Sequence, residues 1–168
     1  MKKFISVFVS IVMVTSLLIT GSSAQGYAEP QENRNRITEF CFTVYDKDGN
    51  IVQEGKISET DERIQWNGIV LDNGNTLKLT KSDGNAFSML GGARYDYVIN
   101  LDRKATLRHI IYMSNYDTSR VMEVVEDFTS TLANHARAAT MPQTAWYYFT
   151  ITNYSSDPVT LKHVELIF

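Results

Sequence analysis

The sequence predicts an all-β fold, an antiparallel two-sheet β-sandwich, and three observations carry that expectation. Apolar and polar residues alternate in short runs. Clusters of Asp, Asn, Gly and Ser separate these runs at spacings of roughly 8–12 residues. No helical pattern alternates with the strands, as a parallel βαβ sheet would require. Jelly-roll-like and Ig-like connections both suit such a pattern.

The chain has 168 residues, and its start is read apart from the fold. Met1-Lys2-Lys3 precedes an apolar run from Phe4 to Ile19 and the small residues Gly21-Ser22-Ser23-Ala24. That order is the pattern of a secretory signal peptide, taken here as residues 1–24, with a second cleavage option after Ala28. The apolar run is short for a membrane span of about 20 residues, so no stable membrane anchor is expected. Residues 25–37, polar and without period, read as a flexible leader, and 38–168 as a single β-sandwich domain.

The elements follow in order. From Glu39 to Tyr45, Phe40, Phe42 and Val44 share one face and Cys41, Thr43 and Tyr45 the other. Asp46-Lys47-Asp48-Gly49-Asn50 then turns the chain into a second strand, Ile51 to Ile57, as a hairpin. Ile64, Trp66 and Val70 lie on one parity of the next run; Asp72-Asn73-Gly74-Asn75 turns it, and Leu77 and Leu79 continue as a second hairpin. After Gly91-Gly92, Tyr95, Tyr97, Ile99 and Leu101 alternate with polar neighbours, the clearest strand pattern in the chain. Leu107 to Met113 is nearly continuous in apolar residues, which suits a strand covered on both faces.

The stretch 119–138 supports two readings. Val121, Val125, Phe128, Leu132 and Ala136 sit at helical spacings. Abundant Val, Thr and Phe and the lack of capping residues favour two further strands, the reading adopted here. Trp146 to Asn153 is aromatic and β-branched, Tyr154 to Pro158 is dense in turn formers, and Val159 to Phe168 closes the chain as a strand.

Composition narrows function by exclusion. Beyond residue 24 the chain carries 14 basic and 19 acidic residues, a net charge of −5, with no basic stripe for a nucleic acid. Cys41 is the only cysteine, so the thiol is free or joins a second copy, giving a monomer or a Cys41-linked dimer. Asp46 to Asn50 begins like a calcium loop, yet Ile51 and Ile57 occupy the positions where an EF-hand needs Gly and a bidentate Glu. His109, His135 and His163 lie 26 and 28 residues apart, without metal-ligand spacing, and read as packed or half-exposed side chains. Ser88 lacks the glycines of a nucleophile elbow, Gly91-Gly92 lacks the Lys of a phosphate loop, and Cys41 lies within an alternating strand. Glu123, Glu126 and Asp127 remain as carboxylates for a hydrolase, or as a solvated face. No catalytic residue, cofactor or metal site is therefore assigned.

The residue-level expectation is aromatic. With Tyr147, Phe149 and Ile151 facing the core, pleating sends Trp146, Tyr148, Thr150 and Thr152 to the outer face. Flat rings beside small hydroxyls are what a sugar-binding sheet presents. The sequence thus supports a secreted, non-enzymatic sandwich that binds a cell-surface glycan or an extracellular protein. A secreted hydrolase of polysaccharide or peptidoglycan is the alternative, and a membrane-active protein built on 119–138 a further one.

Overall fold

A computed structural model of the chain describes residues 38–58 and 68–167. The expected signal peptide, the leader, Ile64, Trp66 and Phe168 lie outside the described residues. Within them run nine strands: β1 (Glu39–Tyr45), β2 (Ile51–Ser58), β3 (Ile69–Leu71), β4 (Thr76–Lys81), β5 (Phe87–Met89), β6 (Arg94–Ser114), β7 (Val121–Thr140), β8 (Ala145–Asn153) and β9 (Val159–Ile167). All pairings are antiparallel, in the order β2-β1-β4-β8-β6-β9-β3, with β7 on the other edge of β6 and β5 against the start of β8.

One hydrogen-bonded network makes two layers because β6 folds back on itself. A straight strand would set Tyr97 and His109 roughly 40 Å apart, twelve residues at about 3.3 Å each. Their ring centroids are 5.4 Å apart. The fold occurs where the ladder to β7 is interrupted: Asn100 pairs with Asn134 and Ala105 with Leu132, so Leu101 to Lys104 take the outside of a corner against Ala133 alone. Strands that change sheets through such an irregularity are a standard way to turn a sandwich corner. Beyond the corner β6 also changes its other partner, from β9 along Asp96–Leu101 to β8 along Leu107–Ser114. The first layer is thus β2, β1, β4, β8 and the later half of β6; the second holds the earlier half of β6, β9 and β3. The two halves of β7 edge one layer each.

Buried side chains form one cluster between the layers. It includes Phe40, Phe42 and Val44 from β1, Leu77 and Leu79 from β4, Tyr95, Tyr97, Ile99, Leu107 and Ile111 from β6, Tyr147, Phe149 and Ile151 from β8, and Leu161, Val164 and Leu166 from β9. Phe149 is its aromatic centre, with Phe87, Tyr95 and Tyr97 all at centroid distances of 5.8–6.4 Å. Asn153, fully buried, ties the ends of three elements: its amide donates to the carbonyls of Leu71 and Asp157, and its backbone exchanges bonds with Gly74 and Asn75.

The all-β expectation, the first hairpin and the inward parity of Tyr95 to Leu101 agree with this architecture. Four local readings change. The Asp72–Asn75 turn joins β3 to β4 without pairing them: β3 pairs with β9 in one layer and β4 with β1 and β8 in the other, so the turn crosses between layers. The parity of β3 is also reversed, since Ile69 and Leu71 are buried and Val70 is exposed. Leu107 to Met113 is the later half of the strand that begins at Arg94. Within 119–138 the adopted strand reading holds, but residues from Val121 belong to one long bent strand, β7, in place of two, paired along β6. Short β5 escaped the sequence reading, although Phe87 and Met89 alternate inward around exposed Ser88.

Candidate functional site

The first layer has an inner face in the core and an outer face that presents the opposite parity. Register fixes that outer face as rows running across the strands. Glu54, Thr43, Lys78, Thr150, Ile110 and Asp127 form one row; Lys56, Cys41 and Thr80 form its neighbour; Tyr45, Thr76, Thr152 and Arg108 lie on the other side. Rows two residues apart along a strand are about 7 Å apart, close to the dimension of one sugar ring.

A polar groove of about 550 Å³ opens over the β2-β1-β4 side of this face. Its floor includes Cys41, Thr43, Lys78 and Thr80; Glu54 and Lys56 stand on the β2 side, Tyr45 also lines it, and Gly84 and Thr118 belong to flanking turns. That volume lies within the range of about 300–1,000 Å³ typical of small-molecule sites. The Thr118 wall is held firmly. Asn115 accepts from the Arg120 amide and donates to Ser119, while Asp117 accepts from the Ser119 amide. Thr118 has φ of 61°, a left-handed conformation that is uncommon for a β-branched residue. Its hydroxyl accepts a 2.7 Å hydrogen bond from Lys78 Nζ.

Lys78 also lies over the Tyr148 ring, with Nζ 4.6 Å from the centroid. Partial burial pushes its ammonium below the usual lysine value. Tyr148 in turn stacks on Tyr112 at 5.0 Å, and burial raises its phenol to about 12. All four residues selected from sequence lie on the outer face. Tyr148 is only 7% exposed, between Tyr112 and Lys78. Trp146 is half-buried, with Tyr116 edge-on at 4.9 Å. Thr150 and Thr152 are half-buried, and Thr152 shares a 2.8 Å hydroxyl contact with Thr76. The open volume therefore centres on β1 and β4, and neither Trp146 nor Tyr148 lines it. Sequence reading missed Thr43 and Lys78 as site residues because sheet order, unlike parity, has no local signature.

A second polar cluster is internal. His135 Nε2 lies 3.0 Å from the Leu132 carbonyl, which fixes the proton on that nitrogen and makes Nδ1 an acceptor. Nδ1 receives Ser130 Oγ at 2.8 Å and His109 Nε2 at 3.2 Å. His109 therefore carries its proton on Nε2, and its Nδ1, like Tyr97 Oη, has no hydrogen-bond partner among the described residues. Desolvation, followed by the proximity of His135, depresses the His109 imidazole to about 3. Desolvation lowers His135 as well. Both rings are neutral at physiological pH. Their association across 26 residues is a product of the β6 and β7 corner.

The remaining chemical candidates are engaged locally. Asp46 accepts from the Asp48 and Asn50 amides and the Asn50 side chain, closing the hairpin turn around Gly49 at φ of 85°. Glu126 points inward, bonded to Tyr95 and Arg137, while adjacent Asp127 points outward to Arg108. Successive strand residues face opposite ways, so these two carboxylates do not converge on one substrate. Half-buried Cys41 donates to the Ser82 carbonyl at 3.3 Å and borders the groove.

No protein-family model matches the chain, and no curated protein matches it. Solved structures of similar topology include the N-terminal endo-1,4-β-D-xylanase 10B of Clostridium thermocellum complexed with xylohexaose: 15% identity over 79% of this chain and 28% of that one, TM-score 0.45. The N-terminal cellulose-binding domain of Cellulomonas fimi β-1,4-glucanase C is 13% identical over 75% of this chain and 84% of its own, TM-score 0.44. The K3 adhesin domain of Lys-gingipain from Porphyromonas gingivalis is 12% identical over 76% and 91%, TM-score 0.44. The present chain thus spans under a third of the xylanase structure and most of the two binding domains.

Proposed function

We propose that the protein is exported and binds a saccharide on the outer face of its first layer, without catalysing a reaction. The observation that carries this reading is the groove. It joins two threonine hydroxyls of the sheet, Thr43 and Thr80, and Thr118 of the flanking turn with the Tyr45 ring, two ammonium groups and one carboxylate. Sugars need this combination: apolar ring surface against their C–H faces and a dense set of donors and acceptors for their hydroxyls. Strands hold these groups in place before binding, which keeps the ordering cost low. Thr150 and Thr152 continue the polar rows toward β6.

The test is a glycan array probed with the secreted protein and with Thr43→Trp, whose bulk fills the groove from its floor. Wild-type binding to a defined set of glycans, lost in Thr43→Trp at an unchanged melting temperature, supports the reading. Wild-type protein that binds no glycan, or a filled groove that binds equally well, overturns it.

A further inference from the structure

The groove contains an ammonium without a counter-ion. Lys78 Nζ meets the Thr118 hydroxyl and the Tyr148 ring, and no carboxylate among the described residues pairs with it. The nearest acid in its row is Glu54 on β2, separated from it by the whole width of β1 because Thr43 pairs with both residues. Two inter-strand steps amount to about 10 Å between backbones. Lys81 is matched by Asp83, and Arg108 by Asp127, so neighbouring cations have the partner that Lys78 lacks. Lys56 adds a second positive charge to the lining.

Partial burial of an unpaired charge is costly, and a cost retained in a groove is commonly recovered by a ligand. Thr118, in the turn beside the groove, holds this ammonium in place: its backbone is left-handed, with φ of 61°, and its hydroxyl accepts the Lys78 hydrogen bond. An ammonium has three donors; Thr118 occupies one and leaves others for a bound anion.

Resting on the saccharide reading, we propose that the groove selects an anionic saccharide, seating a carboxylate or sulfate oxygen of the sugar on Lys78 Nζ. The ring of the same sugar unit lies over Thr43 and Thr80. Calorimetry of the whole secreted protein tests this with uronate oligosaccharides, their methyl esters, a sulfated galactan oligosaccharide and its desulfated form. The expected result is at least tenfold tighter binding of a charged member than of its neutral counterpart, weakening as salt is raised. Binding of the uronate pair or of the sulfated pair identifies which acid is read. Lys78→Met keeps the stem over Tyr148 and should erase the preference, whereas Lys78→Arg should retain part of it. Equal affinity for charged and neutral members, or affinity indifferent to salt in the wild type, overturns the anionic inference while leaving the saccharide reading intact. No binding to any member, charged or neutral, overturns both.

Discussion

Acidification should destabilise this protein through His109 before its surface aspartates are reached. The ring is 2% exposed, stacked on Phe128 at 4.8 Å and packed against Tyr97. Charges facing it from β7 are neutral His135 and, beyond Phe128, the Arg137–Glu126 pair; no carboxylate bonds to it. A proton would charge an apolar site, and one arriving on His135 Nδ1 would also convert an acceptor of two hydrogen bonds into a third donor. The folded imidazole titrates at about 3, against about 6.5 in the unfolded chain. The unfolded state therefore binds more protons in this window, and stability is complete above about pH 6.5 and lost as pH falls toward 3. From pH 7 to pH 4.5 the linkage removes about 2.5 kcal/mol. Over that interval Asp46, Asp83, Asp102, Asp117 and Asp127 stay ionised, their carboxyls being held below the usual value by hydrogen bonds, with Asp83 at about 2. Urea denaturation at both pH values is the assay, comparing wild type with His109→Gln. The variant starts less stable but should lose markedly less on acidification. Equal losses in the two proteins, or none in the wild type, would refute the assignment.

Other perturbations read different parts of the structure. Thr118→Gly relaxes the left-handed turn while releasing Lys78, so the melting temperature should hold or rise as ligand affinity falls; a loss above about 1 kcal/mol would show that the strain is absent. Gly91→Ala places a Cβ 2.9 Å from backbone atoms of Gln143 and Thr144 and should cost about 1–3 kcal/mol in chemical denaturation, since backbone cannot step aside as a flexible side chain can. Alkylation of Cys41 by a small maleimide should block glycan binding without unfolding the protein, because the half-buried thiol borders the groove; unaltered affinity after complete labelling would contradict its placement.

Parity was legible in the sequence wherever one face of a strand is buried. Phe40, Phe42 and Val44, and Tyr95 through Leu101, reveal their inward face by period alone, and so do Trp146, Tyr148, Thr150 and Thr152 as an outer set. Connectivity was not legible. The Asp72–Asn75 turn looks like a hairpin turn because turn chemistry is the same whether the strands beyond it pair together or separate into two layers. β6 looks like two strands because its corner residues Asp102, Arg103 and Lys104 are polar, as a loop would be, while its hydrogen bonding to β7 resumes past them. The groove falls in the same class. Thr43 and Lys78 become neighbours only through the β1–β4 pairing, and Thr118 meets Lys78 across 40 residues. The apolar spacing in β7 was ambiguous for a related reason: at an edge, few positions need be apolar, so spacing there carries little information about period, and strand composition decided correctly while the number of strands did not show.

A saccharide in the outer groove of the first layer is tested most directly by amide chemical-shift mapping of the purified protein titrated with its best array glycan. Perturbations should be confined to Thr43, Tyr45, Glu54, Lys56, Lys78, Thr80 and Thr118, growing to saturation, with β9 and the free edge of β7 silent. Saturable shifts along β7, or none in the groove while binding is seen by calorimetry, would contradict it.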